Sequence, residues 1–190
     1  QDFDTLTKLA DIAARVGVER FVLDDGWFNG RRNDSSGLGD WTVDSKVWPD
    51  GLDRLIKHVR SLGMEFGIWF EPEMVSPNSD LFSKHPDWAL NDSNYKQVTS
   101  RNQLVLDMSR KDVRQYLFDS ISKLLKSHEI AYIKWDHNRD LVSAGAHAQT
   151  LGTYQLLSEL KSAHPKVQFE SCASGGGRVY FGILKFVSRF

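Results

Sequence analysis

A chain of 190 residues can bury a substantial core, and its formal net charge of −1, without any run of like charge, offers nothing to nucleic acid or an anionic membrane surface. The single cysteine, Cys172, excludes an internal disulfide, no Cys/His spacing resembles a zinc site, and no apolar run reaches membrane-spanning length. Aromatic residues make up 12% and include six Trp, a composition that suits both cores and stacking on sugar rings.

Leu6, Leu9, Ile12, Ala13 and Val16 predict a helix over 4–16, with Gly17 as its stop. Phe21-Val22-Leu23 reads as a short buried strand that runs into Asp24-Asp25-Gly26-Trp27. A polar loop follows, holding Trp41 and Trp48, and then a helix with Leu52, Leu55, Ile56, Val59 and Leu62 on one face. Phe66–Phe70 is the next strand and ends in Glu71-Pro72-Glu73. Residues 74–110 form a long excursion, with a short extra strand predicted at 104–107; a loop of that length is more often functional than idle. Ser109 and Asp112 have capping-box spacing for a helix that buries Val113, Tyr116, Leu117, Ile121, Leu124 and Leu125. Ala131-Tyr132-Ile133 leads as a strand into Lys134-Trp135-Asp136-His137-Asn138-Arg139. A helix over 147–162, with Tyr154, Leu157 and Leu160 as core positions, precedes a last strand at 167–170 and the turn Ser171–Arg178.

Strict alternation of helix and strand predicts a parallel sheet with helical crossovers. A Rossmann unit would place its Gly-rich turn after the first strand; Asp24-Asp25 stand there instead, and the triple glycine comes last. The fold expected is therefore α/β, a partial TIM (β/α)8 barrel. A full barrel takes about 250 residues, so residues 1–190 are read as a single-domain fragment, an interior segment lacking the first and last strands. Gln1 in place of Met and an end within the strand-like run 186–190 fit that reading. A cytoplasmic location is the expectation, with secretion left open because the true N-terminus lies outside the segment.

Four strands carry unusual residues at their carboxyl ends: Asp24 and Asp25; Trp69, Glu71 and Glu73; Lys134, Asp136 and Asn138; Cys172, Gly175 and Arg178. In a barrel those ends share one face, where chemistry is done. A pocket with so many hydrogen-bonding groups and flat rings suits a polyhydroxylated ligand. Asp136 reads as the reactive carboxylate, kept ionised by flanking Lys134 on the same strand face. The bland alternative is a structural ion pair between the two. Asp24, Glu71, Asp136 and His137 lack the His-rich set of a catalytic zinc site, and neither metal nor cofactor is expected. Glu71 and Glu73 read as structural supports, and Trp41, Trp48 and Trp88 as loop anchors.

Six ordered stretches are similar to the bacterial α-galactosidases of glycoside hydrolase family thirty-six. They are Asp24–Trp27, Gly67–Val75, His85–Trp88, Arg101–Asp107, Lys134–Arg139 and Ser171–Arg178. The resemblance covers nearly the whole chain. It implies a retaining hydrolase that releases terminal α-linked galactose from melibiose- and raffinose-type oligosaccharides through a covalent galactosyl-aspartate. It implies Asp136 as nucleophile and Asp24 and Asp25 on the 4- and 6-hydroxyl side of galactose. Trp69 would form an apolar wall, Arg101, Lys134 and Asn138 would hold other ring hydroxyls, and Cys172 and Gly175 would lie near the 2-hydroxyl. The family's acid/base Asp stands on the next strand in a Trp-x-Ser-Asp type motif, beyond Phe190. The loop after Arg139 is shorter than in many members, which bears on the aglycone. The partner expected is a small-molecule α-galactoside, with no nucleic acid and no membrane; homo-oligomerisation of the full-length enzyme stays open. So do an α-N-acetylgalactosaminidase, a transglycosylase and a non-catalytic sugar-binding barrel. The isolated segment, without an acid/base, is expected to be inactive.

Overall fold

The computed structural model describes residues 2–91, 97–141 and 145–190. Helix α1 spans Phe3–Arg15, and the Asp2 carboxylate caps it by accepting from the Thr5 amide at 2.8 Å. Strand β1 (Arg20–Leu23), helix α2 (Asp53–Ser61) and strand β2 (Glu65–Phe70) follow. The excursion holds β3 (Met74–Val75), the short helix α3 (Asp80–Lys84), a 3-10 turn at Pro86–Trp88 and β4 (Leu104–Val105). Helix α4 (Lys111–Ser127), strand β5 (Tyr132–Trp135), helix α5 (Ala146–Ala163) and strand β6 (Gln168–Ser171) complete the order.

The expected α/β architecture is present. Strands β1-β2-β5-β6 form one parallel sheet, joined by helical crossovers. The sheet continues past β6, since the Ser188 amide donates to Phe169 O and the Ser171 amide to Arg189 O, pairing Glu170 with Arg189 in parallel. The strand-like run at the end is thus realised only at its last residues; Ile183–Lys185 is a 3-10 turn.

Register explains how an apolar strand delivers polar groups. Leu23, Ile68, Ile133 and Phe169 stand side by side and are all buried. They form the face that the helices cover. Alternation sends Trp69, Lys134 and Glu170 to the opposite face, one residue on. Tryptophans anchor the loop after β1: Trp27 donates its indole N–H to Trp69 O at 2.8 Å, and Trp41 packs on Phe28 with centroids 4.6 Å apart. Trp41, Trp48 and Trp88 are buried, as loop anchors should be.

Three details depart from the pattern read in the sequence. On α1, Leu6 and Ala10 bury while Leu9, Ile12 and Val16, one row round, stand exposed. Ser109 does not cap α4: its hydroxyl is taken by the Asp107 carboxylate, and the N-cap is Arg110, which makes no side-chain cap bond. Asp112 instead binds Arg110 and the Val113 amide. Tyr154 is half-buried at the rim, stacked on Phe186 at 4.9 Å, while Leu157 and Leu160 are core. The loop after Arg139 runs through residues 142–144, which lie outside the described residues.

Helix α5 meets the end of the excursion backbone to backbone. A Cβ on Gly152 would sit 1.9 Å from Met108 O, with no flexible side chain to give way. Gly152→Ala should gain about 1 kcal/mol of helix propensity and lose more to the clash, for a net loss of about 1–3 kcal/mol. Thermal denaturation of the full-length protein checks this.

Candidate active site

The ladder between β2, β5 and β6 runs one residue beyond the strands. The Asp136 amide donates to Phe70 O and the Cys172 amide to Trp135 O, both at 2.8 Å. Asp136 and Cys172 are thereby brought side by side, with Glu71 beside Asp136 at the end of β2. Asp136 is 7% exposed. Its Oδ2 accepts from Trp69 Nε1 at 3.0 Å and from Asn138 Nδ2, and its Oδ1 accepts from the His137 amide at 2.9 Å. Cys172 stands beside it across the ladder. Burial works against ionisation, but Asn138, Trp69, Cys172 and the His137 backbone outweigh it, holding Asp136 below the ordinary Asp range.

Lys134 has a different task from the one expected of it. Its Nζ donates to Asp24 Oδ2 at 2.8 Å rather than to Asp136. Parallel register places Asp24 next to Trp69, the register partner of Lys134. The Lys134 ion pair is thus with Asp24, not Asp136, and neutral hydrogen-bond donors are the main groups that keep Asp136 ionised. Burial pulls the Lys134 ammonium down and Asp24 more than compensates, so it is firmly charged. Asp25 is clamped by Arg31, whose Nε and Nη2 reach its two oxygens at 2.9 and 3.0 Å.

Asn138 joins the site as a holder of Asp136, and its Oδ1 accepts from Ser174 Oγ at 3.2 Å. Ser174 (φ 47°) and Gly175 (φ 88°) shape the turn after Cys172. Gly175 is exposed on that turn, and Arg101 is exposed on the tight turn between Ser100 and Gln103.

Behind this first layer lie groups whose roles only the fold reveals. Glu73 accepts from Arg178 Nη1 and Nη2, Trp135 Nε1 and Thr153 Oγ1, and Arg178 Nη2 also reaches His137 Nδ1 at 2.7 Å. Arg139 donates to the backbone carbonyls of Gln103 and Val98. Arg31 carried no motif signal; Gln103 lay within the stretch Arg101–Asp107 without a role of its own, and Arg178 was visible as a strand-end residue, but not its partner. Among the described residues, no cluster of three or more His, Cys, Asp or Glu is placed to hold a metal ion.

Carboxylates, an amide, a thiol, a lysine and an indole gather at the carboxyl ends of the parallel strands, which defines the class as an α/β protein with its candidate site at that face of the sheet. The chain belongs to the melibiase family, whose profile matches residues 1–190. It is 50% identical over 193 residues to an alpha-galactosidase of Escherichia coli, covering 98% of this chain and 27% of that protein. It is 46% identical to alpha-galactosidase AgaA of Geobacillus stearothermophilus, covering 97% of this chain and 27% of the relative. The crystal structure of AgaA superposes with a TM-score of 0.93 at 45% identity, covering 98% of this chain and 28% of AgaA. The chain thus spans 27% of the length of these curated relatives.

Proposed function

We propose that the full-length protein is a retaining α-galactosidase acting on raffinose-type oligosaccharides, and that residues 1–190 form part of its catalytic barrel. The observation that carries this is Asp136: a buried carboxylate at the end of a parallel strand, kept ionised by oriented donors, the state a nucleophile requires. Support for the substrate class comes from the relatives, which are named alpha-galactosidases, and from AgaA variants crystallised with stachyose and raffinose.

Asp136 Oδ attacks the anomeric carbon, forming a C1–O bond as the bond to the aglycone oxygen breaks. The aglycone leaves with a proton from the acid/base Asp, which the family pattern puts on the strand after residue 190. Water then gives that carboxylate a proton, attacks C1 and releases Asp136 with net retention. Asp24, tied to Lys134, and Asp25, tied to Arg31, present fixed acceptors to the hydroxyls on the far side of the sugar. A site built this way leaves its own polar groups unpaired when an epimer binds.

Early-time proton NMR of melibiose hydrolysis by the full-length protein should show α-galactose forming before mutarotation. β-Galactose as first product overturns the mechanism, and a preference for an α-N-acetylgalactosaminide or for transfer over hydrolysis overturns the substrate assignment. The 190-residue chain alone should leave nitrophenyl α-galactoside intact.

A further inference from the structure

Glu71 is the first residue past β2 and is 1% exposed. Its Oε1 accepts from the Asn138 backbone amide at 2.6 Å, and its Oε2 accepts from Gln103 Nε2 at 3.1 Å. Asn138 is therefore held between two carboxylates, because its side-chain Nδ2 donates to Asp136. The displacement described above makes no use of Glu71.

We propose that Glu71 is a positioning residue whose charge is coupled to that of Asp136, so that it tunes the basicity of the nucleophile and changes its own ionisation as the nucleophile is esterified and freed. The proposal rests on the assignment of Asp136 as nucleophile.

Among the described residues, the groups facing Glu71 are few. Asp136 and His137 approach from the end of β5 and Arg101 from the 100–103 turn, while Arg139, also after β5, binds the Gln103 carbonyl. Glu73, two residues on, is taken up by Arg178. Burial pushes Glu71 up to about 7; the Asn138 amide lowers it, and Asp136 adds repulsion. Arg101 and His137 act the other way without cancelling these.

Gln103 is suited to both protonation states. Its amide NH2 donates to a Glu71 carboxylate, while its Oε1 is buried without a partner among the described residues. Turned over, the same amide would accept from a protonated Glu71 through its oxygen.

Coupling of this kind is reciprocal. An ionised Glu71 raises the basicity of Asp136 and adds negative charge near a positively charged transition state. When Asp136 becomes an ester, its negative charge passes to the aglycone oxygen, which takes the proton of the acid. The repulsion on Glu71 then disappears, and a neutral Glu71 ionises, its proton going to water. Hydrolysis of the ester restores the Asp136 carboxylate, and Glu71 takes one proton back.

The test uses the full-length protein and Glu71→Gln, which keeps the shape and, with Gln103 turned over, the hydrogen bonds. For the wild type, kcat/KM on nitrophenyl α-galactoside should rise about threefold to tenfold through pH 7, a coupling of up to one pKa unit. In E71Q that step should vanish, while activity at pH 6 stays within about threefold of wild type, the size of change half a pKa unit represents. A second arm needs no turnover. The protonated-carboxyl infrared band that Glu71→Gln removes should titrate near neutrality in the wild type and about one unit lower with Asp136→Asn, as removal of a neighbouring charge requires. An unchanged pH step in E71Q, or a band unmoved by Asp136→Asn, overturns the coupling. Absence of α-galactosidase activity with the band still moving overturns the enzyme assignment and leaves the coupling standing.

Discussion

Asp136→Asn in the full-length protein should lower kcat on α-galactosides by on the order of 10⁴-fold or more, the scale for loss of a nucleophile whose neighbours act with it as a unit. The fold should survive, because Asn has the same shape and the strand ladder through the Asp136 amide is untouched. KM should change little, since Lys134 and Arg31 hold Asp24 and Asp25 without help from Asp136. A smaller residue separates nucleophile from mere support. Asp136→Ala opens space beside C1, and azide entering there should give β-galactosyl azide by a single inversion. A residue that only propped the pocket would yield no such product. Near wild-type turnover by either variant, or azide rescue with retained configuration, would sink the assignment.

The strand that ends at Asp136 was legible because parallel strands are buried on both faces and read as apolar runs, so the charged residues that end them stand out. Phe66–Phe70 and Tyr132–Trp135 both behave this way. Period-two alternation also put Lys134 and Asp136 on one face correctly. What alternation along one strand cannot supply is the partner across the sheet. Lys134 is two residues from Asp136 and 110 from Asp24, yet register makes Asp24 the one it binds. Arg31 and Asp25 meet through a loop closed by buried aromatics, which leaves no periodic signal. Ser109 failed as a cap because the helix starts two residues further on, after Arg110, while the Asp107 carboxylate holds the Ser109 amide and hydroxyl in a turn of their own. The sharpest case is Glu71 and Glu73. They flank one proline and look equivalent in the sequence, but their surroundings drive them apart: burial with little compensation raises Glu71 to about 7, while Arg178 keeps Glu73 ionised.

That difference makes Arg178 the residue whose loss should damage the fold most. Burial alone would push Glu73 up, but the charges of Arg178 and His137 outweigh it and hold the carboxyl well below the Glu range. Arg178→Met removes the cation and leaves a buried carboxylate with only Trp135 Nε1, Thr153 Oγ1 and a His137 nitrogen 3.7 Å away. Breaking a buried pair from one side costs about 3–5 kcal/mol. Denaturant unfolding of the full-length variant should show a loss of that order, and turnover should fall too, because Arg178 ties the turn after Cys172 to the end of the strand that carries Asp136 through His137. Replacing both partners by Met removes the stranded charge, so the double variant should be more stable than Arg178→Met alone. A double variant that is worse by the sum of the two single losses would mean the pair is not energetically coupled. The pH dependence follows with its sign. A carboxyl whose folded pKa is depressed stabilises the fold above its unfolded value, near 4.5, and that contribution is lost as pH falls through the folded pKa. Glu71 runs the other way, its raised pKa costing stability as pH climbs from 4.5 to about 7. Arg178→Met should therefore abolish the acid limb of the stability profile and steepen the decline towards neutrality, since burial then pushes Glu73 up as well, whereas Glu71→Gln should remove the share of that decline due to Glu71 and keep the acid limb.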